Sequence, residues 1–171
     1  MAEQLPIFFF TITFRLTKPG VVCAPTYFEG LAHLLDGKFG ANRRIIMNKV
    51  FVYGTLLKGF SNHTLLKDAR FIGTARLNGY GLYCVTPCYP GIVQKNGAAV
   101  NGEVYEVDSS ILKRLDNLED EGTLYCREVN QCTLEDGTIE KVYVYRWIGT
   151  VKENDYIPVN LTPWHPGKSK I

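Results

Sequence analysis

After residue 46 the chain alternates short apolar and polar runs, and glycine-rich turns separate them, which is the pattern of successive β-strands. The alternation predicts strands over residues 49–53, 70–77, 80–85, 92–94, 99–107, 125–133 and 139–147. "EDGT" at 135–138 predicts a hairpin turn, because Asp-Gly tolerates the backbone conformation that such turns demand. Two stretches break the period of two. One is a short helical candidate over 62–67. The other opens at Asp108 or Ser109, either a good N-cap, and runs to about Glu119. Its apolar positions Ile111, Leu112, Leu115 and Leu118 recur at helical spacing, and Gly122 is placed to end it. Strands and helices do not alternate regularly. The expected fold class is therefore α+β, a small, mainly antiparallel β-barrel with flanking helices, and not a doubly wound parallel sheet.

The first 46 residues have a different texture. They hold an aromatic-rich strand candidate ("LPIFFFTITF", 5–14), a Pro/Gly stretch, a short helical candidate over 27–35 and a "DGKFG" turn followed by basic residues. The expected organisation is an extension over 1–46 of unknown role and one domain over 47–171. The apolar stretch at 5–14 is long enough for the core of a signal peptide, but Glu3 precedes it and no lysine or arginine does, so the usual basic leader is missing. No run reaches the roughly 18–20 apolar residues that span a bilayer.

Composition narrows the function classes. Apolar residues make up 46% of the 171, an ordinary globular balance, and the formal charge of +2 supplies no electrostatic reason to expect nucleic acid or an anionic membrane as partner. The five cysteines, Cys23, Cys84, Cys88, Cys126 and Cys132, are odd in number and not spaced as zinc knuckles. Buried reduced thiols and a cytoplasmic location are the expectation. Nothing in the sequence indicates an oligomeric state.

Two stretches carry candidate chemistry. The first is the turn Tyr53-Gly54-Thr55-Leu56, where a strand runs into glycine. Successive main-chain N–H groups after such a turn form a concavity for anions or oxyanions, and a ligand can approach glycine closely. On four residues alone, an ordinary strand-ending turn explains it as well. The second is the acidic helix end with Asp116, Glu119, Asp120 and Glu121. Glu119 borders the apolar stripe in the last helical turn. Burial, the helix dipole and like charges would each raise its pKa towards that of a general base. A solvated acidic helix end is the bland alternative. The chain has no Gly-x-Ser-x-Gly elbow and no His-Glu-x-x-His, and His33, His63 and His165 lack partner patterns.

Taken in order, "VFVYGTLLKG" (50–59), "YPGIV" (89–93), "VNGEVYEV" (100–107), "LDNLEDEG" (115–122) and "LYCREV" (124–129) resemble the γ-glutamylcyclotransferase-like family, in particular its small bacterial-type and γ-glutamylamine cyclotransferase members. The resemblance covers about residues 47–171. It implies a small β-barrel in which the turn Tyr53, Gly54, Thr55 and Leu56 binds substrate and Glu119 is the catalytic base. It also implies that Tyr125 matches a position near that glutamate. The implied reaction converts a γ-glutamyl amine or amide to 5-oxoproline by attack of the substrate's own α-amine. It needs neither metal nor organic cofactor, and its partner is the small γ-glutamyl substrate. The alternative in another class is a non-catalytic protein that binds a small carboxylate or amine in the same place.

Overall fold

The computed structural model describes residues 46–87 and 89–165. The expectations for 1–45 lie outside the described residues. Among the described residues six strands form: β1 (Met47–Val52), β2 (Arg70–Cys84), β3 (Pro90–Asp108), β4 (Tyr125–Leu134), β5 (Ile139–Trp147) and the two-residue β6 (Tyr156–Ile157). One α-helix, α1 (Ser109–Leu118), joins β3 to β4. The strand order β3-β1-β5-β4-β2 closes through a second pairing of β2 with β3, which makes a five-stranded barrel, and β6 adds to the free side of β2. Every pairing is antiparallel except β1 with β5, so the barrel is mainly antiparallel, as the sequence predicts.

The four short strands expected over 70–107 are two long ones. β2 and β3 pair from Arg70↔Glu106 to Cys84↔Pro90, with register shifts between Phe71 and Gly73 and between Asn78 and Tyr80. The Asn78-Gly79 pair read as a strand break is thus a bulge inside one strand, with Gly79 at φ 80°. Bulges bend a strand, and a bent strand can close a small barrel.

Both faces of β1 are covered, which explains its unbroken apolar run "VFVY". Phe51 and Tyr53 pack inside the barrel with Leu77, Leu82, Val104 and Val144. Val50 and Val52 pack outside it with Ile111, Leu112 and Leu115 of α1. The segment after β6 closes the barrel interior with Trp164, which is 3% exposed. The helical candidate at 62–67 is a 3-10 helix, Ser61–Leu66.

α1 begins at Asp108, whose carboxylate accepts the Ile111 N–H at 2.8 Å; that bond holds the Asp108 carboxyl below its ordinary pKa. It ends differently from expectation. Asp120, at φ 47°, is the residue that turns the chain out of the helix, ahead of Gly122 at φ 86°. The Glu121 N–H then reaches back to the Asp116 carbonyl at 3.0 Å, which is the Schellman arrangement. Leu118 is 38% exposed, so the buried stripe stops at Leu115. Cysteine chemistry is also corrected. Cys132 is a buried free thiol, but Cys126 is disulfide-bonded, since pairing follows spatial proximity that sequence spacing does not reveal. The cysteines therefore carry no argument about compartment. Among the described residues, no helix is long and apolar enough to cross a membrane.

Candidate active site

β1 delivers the chain into Tyr53-Gly54-Thr55-Leu56 at one end of the barrel. The Tyr53 ring is buried, and its hydroxyl donates to the Tyr145 carbonyl on β5 at 2.7 Å. The turn then tightens, with the Leu57 N–H donating to the Gly54 carbonyl at 3.0 Å. Three partners brace it from outside. The Asn62 amide donates to Thr55 Oγ1 at 2.9 Å, and the Asn62 N–H donates to the Thr55 carbonyl at 3.2 Å. His63 Nδ1 lies 2.9 Å from the Leu56 carbonyl, which can only accept, so that nitrogen carries the proton. Glu103 accepts the Lys58 N–H at 3.1 Å and the Tyr105 hydroxyl at 2.8 Å. The N–H groups of Gly54, Thr55 and Leu56 donate to no acceptor among the described residues.

Gly54 is required by close approach. A β-carbon there would lie 2.9 Å from Pro90 Cγ at the start of β3. Pro90 cannot yield freely, because it is buried and its carbonyl accepts the Tyr125 hydroxyl at 2.8 Å. Gly54→Val is therefore expected to lower kcat/KM by about 10²-fold, since displacement by about an ångström is enough for such a loss. Thr55→Ser keeps the hydroxyl that Asn62 holds and should stay near the wild-type rate. Equal effects of the two substitutions in a steady-state assay would refute the close packing of this turn.

Glu119 is the C-cap of α1 and is half-buried. Its carboxylate makes no hydrogen bond or ion pair with a described residue. Burial pushes its pKa from 4.5 up to about 7. Desolvation is the cause here; Asp120 and Glu121 beside it are exposed, so the expected push from neighbouring charges is not what raises it.

Three tyrosines lie near enough for a charge on Glu119 to disfavour their ionised forms. Tyr53, Tyr125 and Tyr145 all have hydroxyl pKa values raised first by burial, with Glu119 as a further contributor. The fold thus brings Tyr53, at the head of the turn, and Tyr125 near Glu119, although the three are scattered along the sequence. Tyr125 reaches it because the chain folds tightly after α1, with the Gly122 N–H donating to the Tyr125 carbonyl at 2.7 Å. Its ring packs edge-on against Trp147, centroids 5.2 Å apart. The hydroxyl protons of Tyr53 and Tyr125 are both committed to main-chain carbonyls.

Sequence reasoning missed Tyr145, Glu103 and the role of Asp116. Tyr145 donates to Asp116 Oδ1 at 2.7 Å, and Asp116 Oδ2 lies 3.3 Å from Arg127 Nη1. The alternating "VYVYRW" could have flagged Tyr145 as facing the helix, since it shares a strand face with Tyr143 and Trp147. Among the described residues, no cluster of three or more His, Cys, Asp or Glu side chains is placed to hold a metal ion.

Comparison with known proteins identifies the family of this fold. Residues 50–166 match the family model described as gamma-glutamyl cyclotransferase, AIG2-like. The chain is 34% identical over 128 residues to the gamma-L-glutamyl-butirosin B gamma-glutamyl cyclotransferase of Niallia circulans, covering 71% of this chain and 78% of that one. It is 37% identical over 83 residues to the gamma-glutamylcyclotransferase family protein YtfP of Escherichia coli, covering 48% of this chain and 72% of that one. Among solved structures, an AIG2-like protein of Mus musculus superposes with a TM-score of 0.57 at 31% identity, covering 63% of this chain and 81% of that one.

Proposed function

The chain belongs to the γ-glutamyl cyclotransferase, AIG2-like family and is an enzyme of this kind, and from that premise we propose that it releases 5-oxoproline from a γ-glutamyl amine or amide with Glu119 as general acid and base. The observation that carries this reading is a half-buried carboxylate, without hydrogen-bond or ion-pair partner among the described residues, whose pKa sits near 7. Such a group accepts and returns a proton near neutrality at little cost. Glu119 takes a proton from the substrate's α-amine as that nitrogen attacks the γ-carbonyl carbon. The new C–N bond closes the five-membered ring, the C–N bond to the leaving amine breaks, and Glu119 returns the proton to the departing nitrogen. No water is consumed, and no oxidant or cofactor is required. Holding amine and carbonyl in contact supplies much of the acceleration.

The N–H groups of Gly54, Thr55 and Leu56 are the proposed donors to the substrate, either to its carboxylate or to the oxyanion at the γ-carbon. Tyr53 and Tyr125 are proposed to wall the substrate with their rings. The reading is tested by following 5-oxoproline release across γ-glutamyl amino acids, γ-glutamyl-lysine and γ-glutamyl amines of larger leaving groups. Saturable binding of these compounds with no 5-oxoproline would overturn it.

Residues 1–46 are proposed to be an appended segment that neither the barrel nor the reaction needs. β1 starts at Met47, paired with Asp108, and all the site residues follow it. A chain beginning at Met47 is expected to fold and to keep the activity of the full chain. Thermal unfolding of the two chains side by side decides this. Insolubility, or melting many degrees lower, would mean that the segment covers apolar surface of the domain.

A further inference from the structure

The proposed reaction needs two parts that sit on different elements. The donors are on the turn after β1, and the base is at the end of α1. Their separation must be held to within about half an ångström for both to act on one substrate. β5 supplies a bridge between them. The main-chain carbonyl of Tyr145 accepts the Tyr53 hydroxyl at 2.7 Å, and the Tyr145 hydroxyl donates to Asp116 Oδ1 at 2.7 Å. Among the described residues, no other residue hydrogen-bonds to both sides. We propose that Tyr145 is a positioning residue that sets the spacing between the Tyr53–Leu56 turn and Glu119; this rests on the cyclotransferase reading of the site.

Asp116 suits the helix side of this bridge. It lies one helical turn before Glu119 and is held at three points. Oδ1 takes the Tyr145 hydroxyl, Oδ2 faces Arg127, and its main-chain carbonyl accepts the Glu121 N–H that closes the helix end. Arg127 is itself seated over the Tyr143 ring at 4.7 Å. Fixing Asp116 therefore fixes the residues on both sides of Glu119. Tyr145 is 2% exposed, and burial with the Asp116 bond keeps its phenol protonated, so it stays a donor over any working pH. A purely packing role for this side chain would need the ring but not the hydroxyl, which makes the two roles separable.

Tyr145→Phe removes only the hydroxyl and leaves the ring and the carbonyl that Tyr53 uses. It is expected to lower kcat about 10- to 100-fold with KM within about twofold of wild type, because misplacement acts on the transition state. Asp116→Asn, which keeps an acceptor for the phenol, should retain more activity than Asp116→Ala. Tyr145→Phe combined with Asp116→Ala should be no worse than the poorer single variant, as for two ends of one contact. A Tyr145→Phe enzyme with wild-type kcat, or losses that multiply in the double variant, would overturn the inference. Thermal unfolding shows whether each variant is folded; if Tyr145→Phe is not, the contrast between Asp116→Asn and Asp116→Ala decides in the same way. Should the wild type turn over no γ-glutamyl amine, the functional reading falls, and the bridge is then judged by carbon-13 NMR titration of Glu119. Loosening the helix end admits water, so the Glu119 midpoint should drop from wild type in Tyr145→Phe. An unmoved midpoint would overturn the inference.

Discussion

Glu119→Gln is expected to lose turnover by about 10²–10⁴-fold and, at pH 8, to unfold at a higher temperature than the wild type. The two effects have one cause. Glutamine fills the same space but cannot accept the amine proton. It also never bears the charge that the wild type must hold in a poorly solvated place. A rise in pKa from 4.5 to about 7 places the cost of that charge near 3 kcal/mol, at about 1.4 kcal/mol per unit. Glu119 is partly accessible, so water reduces this to about 2 kcal/mol, or roughly 5 °C in melting temperature.

The pH dependence gives the sign. Below about 4.5 the carboxyl is protonated in both folded and unfolded chains, and Glu119 costs nothing. Between 4.5 and about 7 the unfolded chain ionises while the folded one does not, so stability falls as pH rises. Above 7 the penalty is complete. The gain from Glu119→Gln should therefore be present at pH 8 and absent at pH 4. In the wild type, kcat/KM should rise with pH through a midpoint near 7, because the base must be ionised. A variant with the wild-type rate would remove Glu119 from the mechanism and turn attention to Asp120 and Glu121. A stability gain that is the same at both pH values would show that the carboxyl is not buried as described.

The parts of this site that were legible in the sequence are those set by local rules. β5 matched its alternation end to end, the start of α1 follows from an N-capping aspartate, and Glu119 bordered the apolar stripe by helical spacing alone. What was illegible depends on distant partners. The Tyr145 hydroxyl meets Asp116, and Glu103 meets the Lys58 amide, across 29 and 45 residues of chain. No periodicity encodes such contacts. Glycine was misread for a related reason. Gly79 looked like the end of a strand, but its partner strand continues beside it and turns the break into a bulge. The direction of the Glu119 shift was legible and burial was among the causes expected, but that burial outweighs the neighbouring charges was not, since burial depends on distant packing.

Gly102→Ala is expected to be the most destabilising single-methyl change in the domain. "VNGEVYEV" reads as an ordinary strand, and alanine is normally tolerated in strands. Here a β-carbon would lie 2.3 Å from the Val52 carbonyl oxygen and 2.7 Å from the Phe51 ring. The nearest obstacle is main chain, which cannot rotate away. The residue is also pinned from both sides: Glu103 pairs with Val52 of β1, and Gly102 itself pairs with Ala75 of β2. Relief must come from prising β1 off β3, where the barrel closes and where the chain enters the Tyr53–Leu56 turn. Overpacking of this kind costs about 3 kcal/mol or more, roughly 10 °C in melting temperature, a large part of the stability of a domain this size. Gly73→Ala on β2 is the matched control. Its β-carbon would meet only Leu134 Cδ2, at an ordinary 3.7 Å, and the change should be close to neutral. Differential scanning calorimetry of the two variants separates them. If Gly102→Ala melts with Gly73→Ala, β1 does not cross β3 as closely as described. If it melts far below but the surviving folded fraction keeps full kcat, the crossing supports the barrel without setting the geometry of the turn.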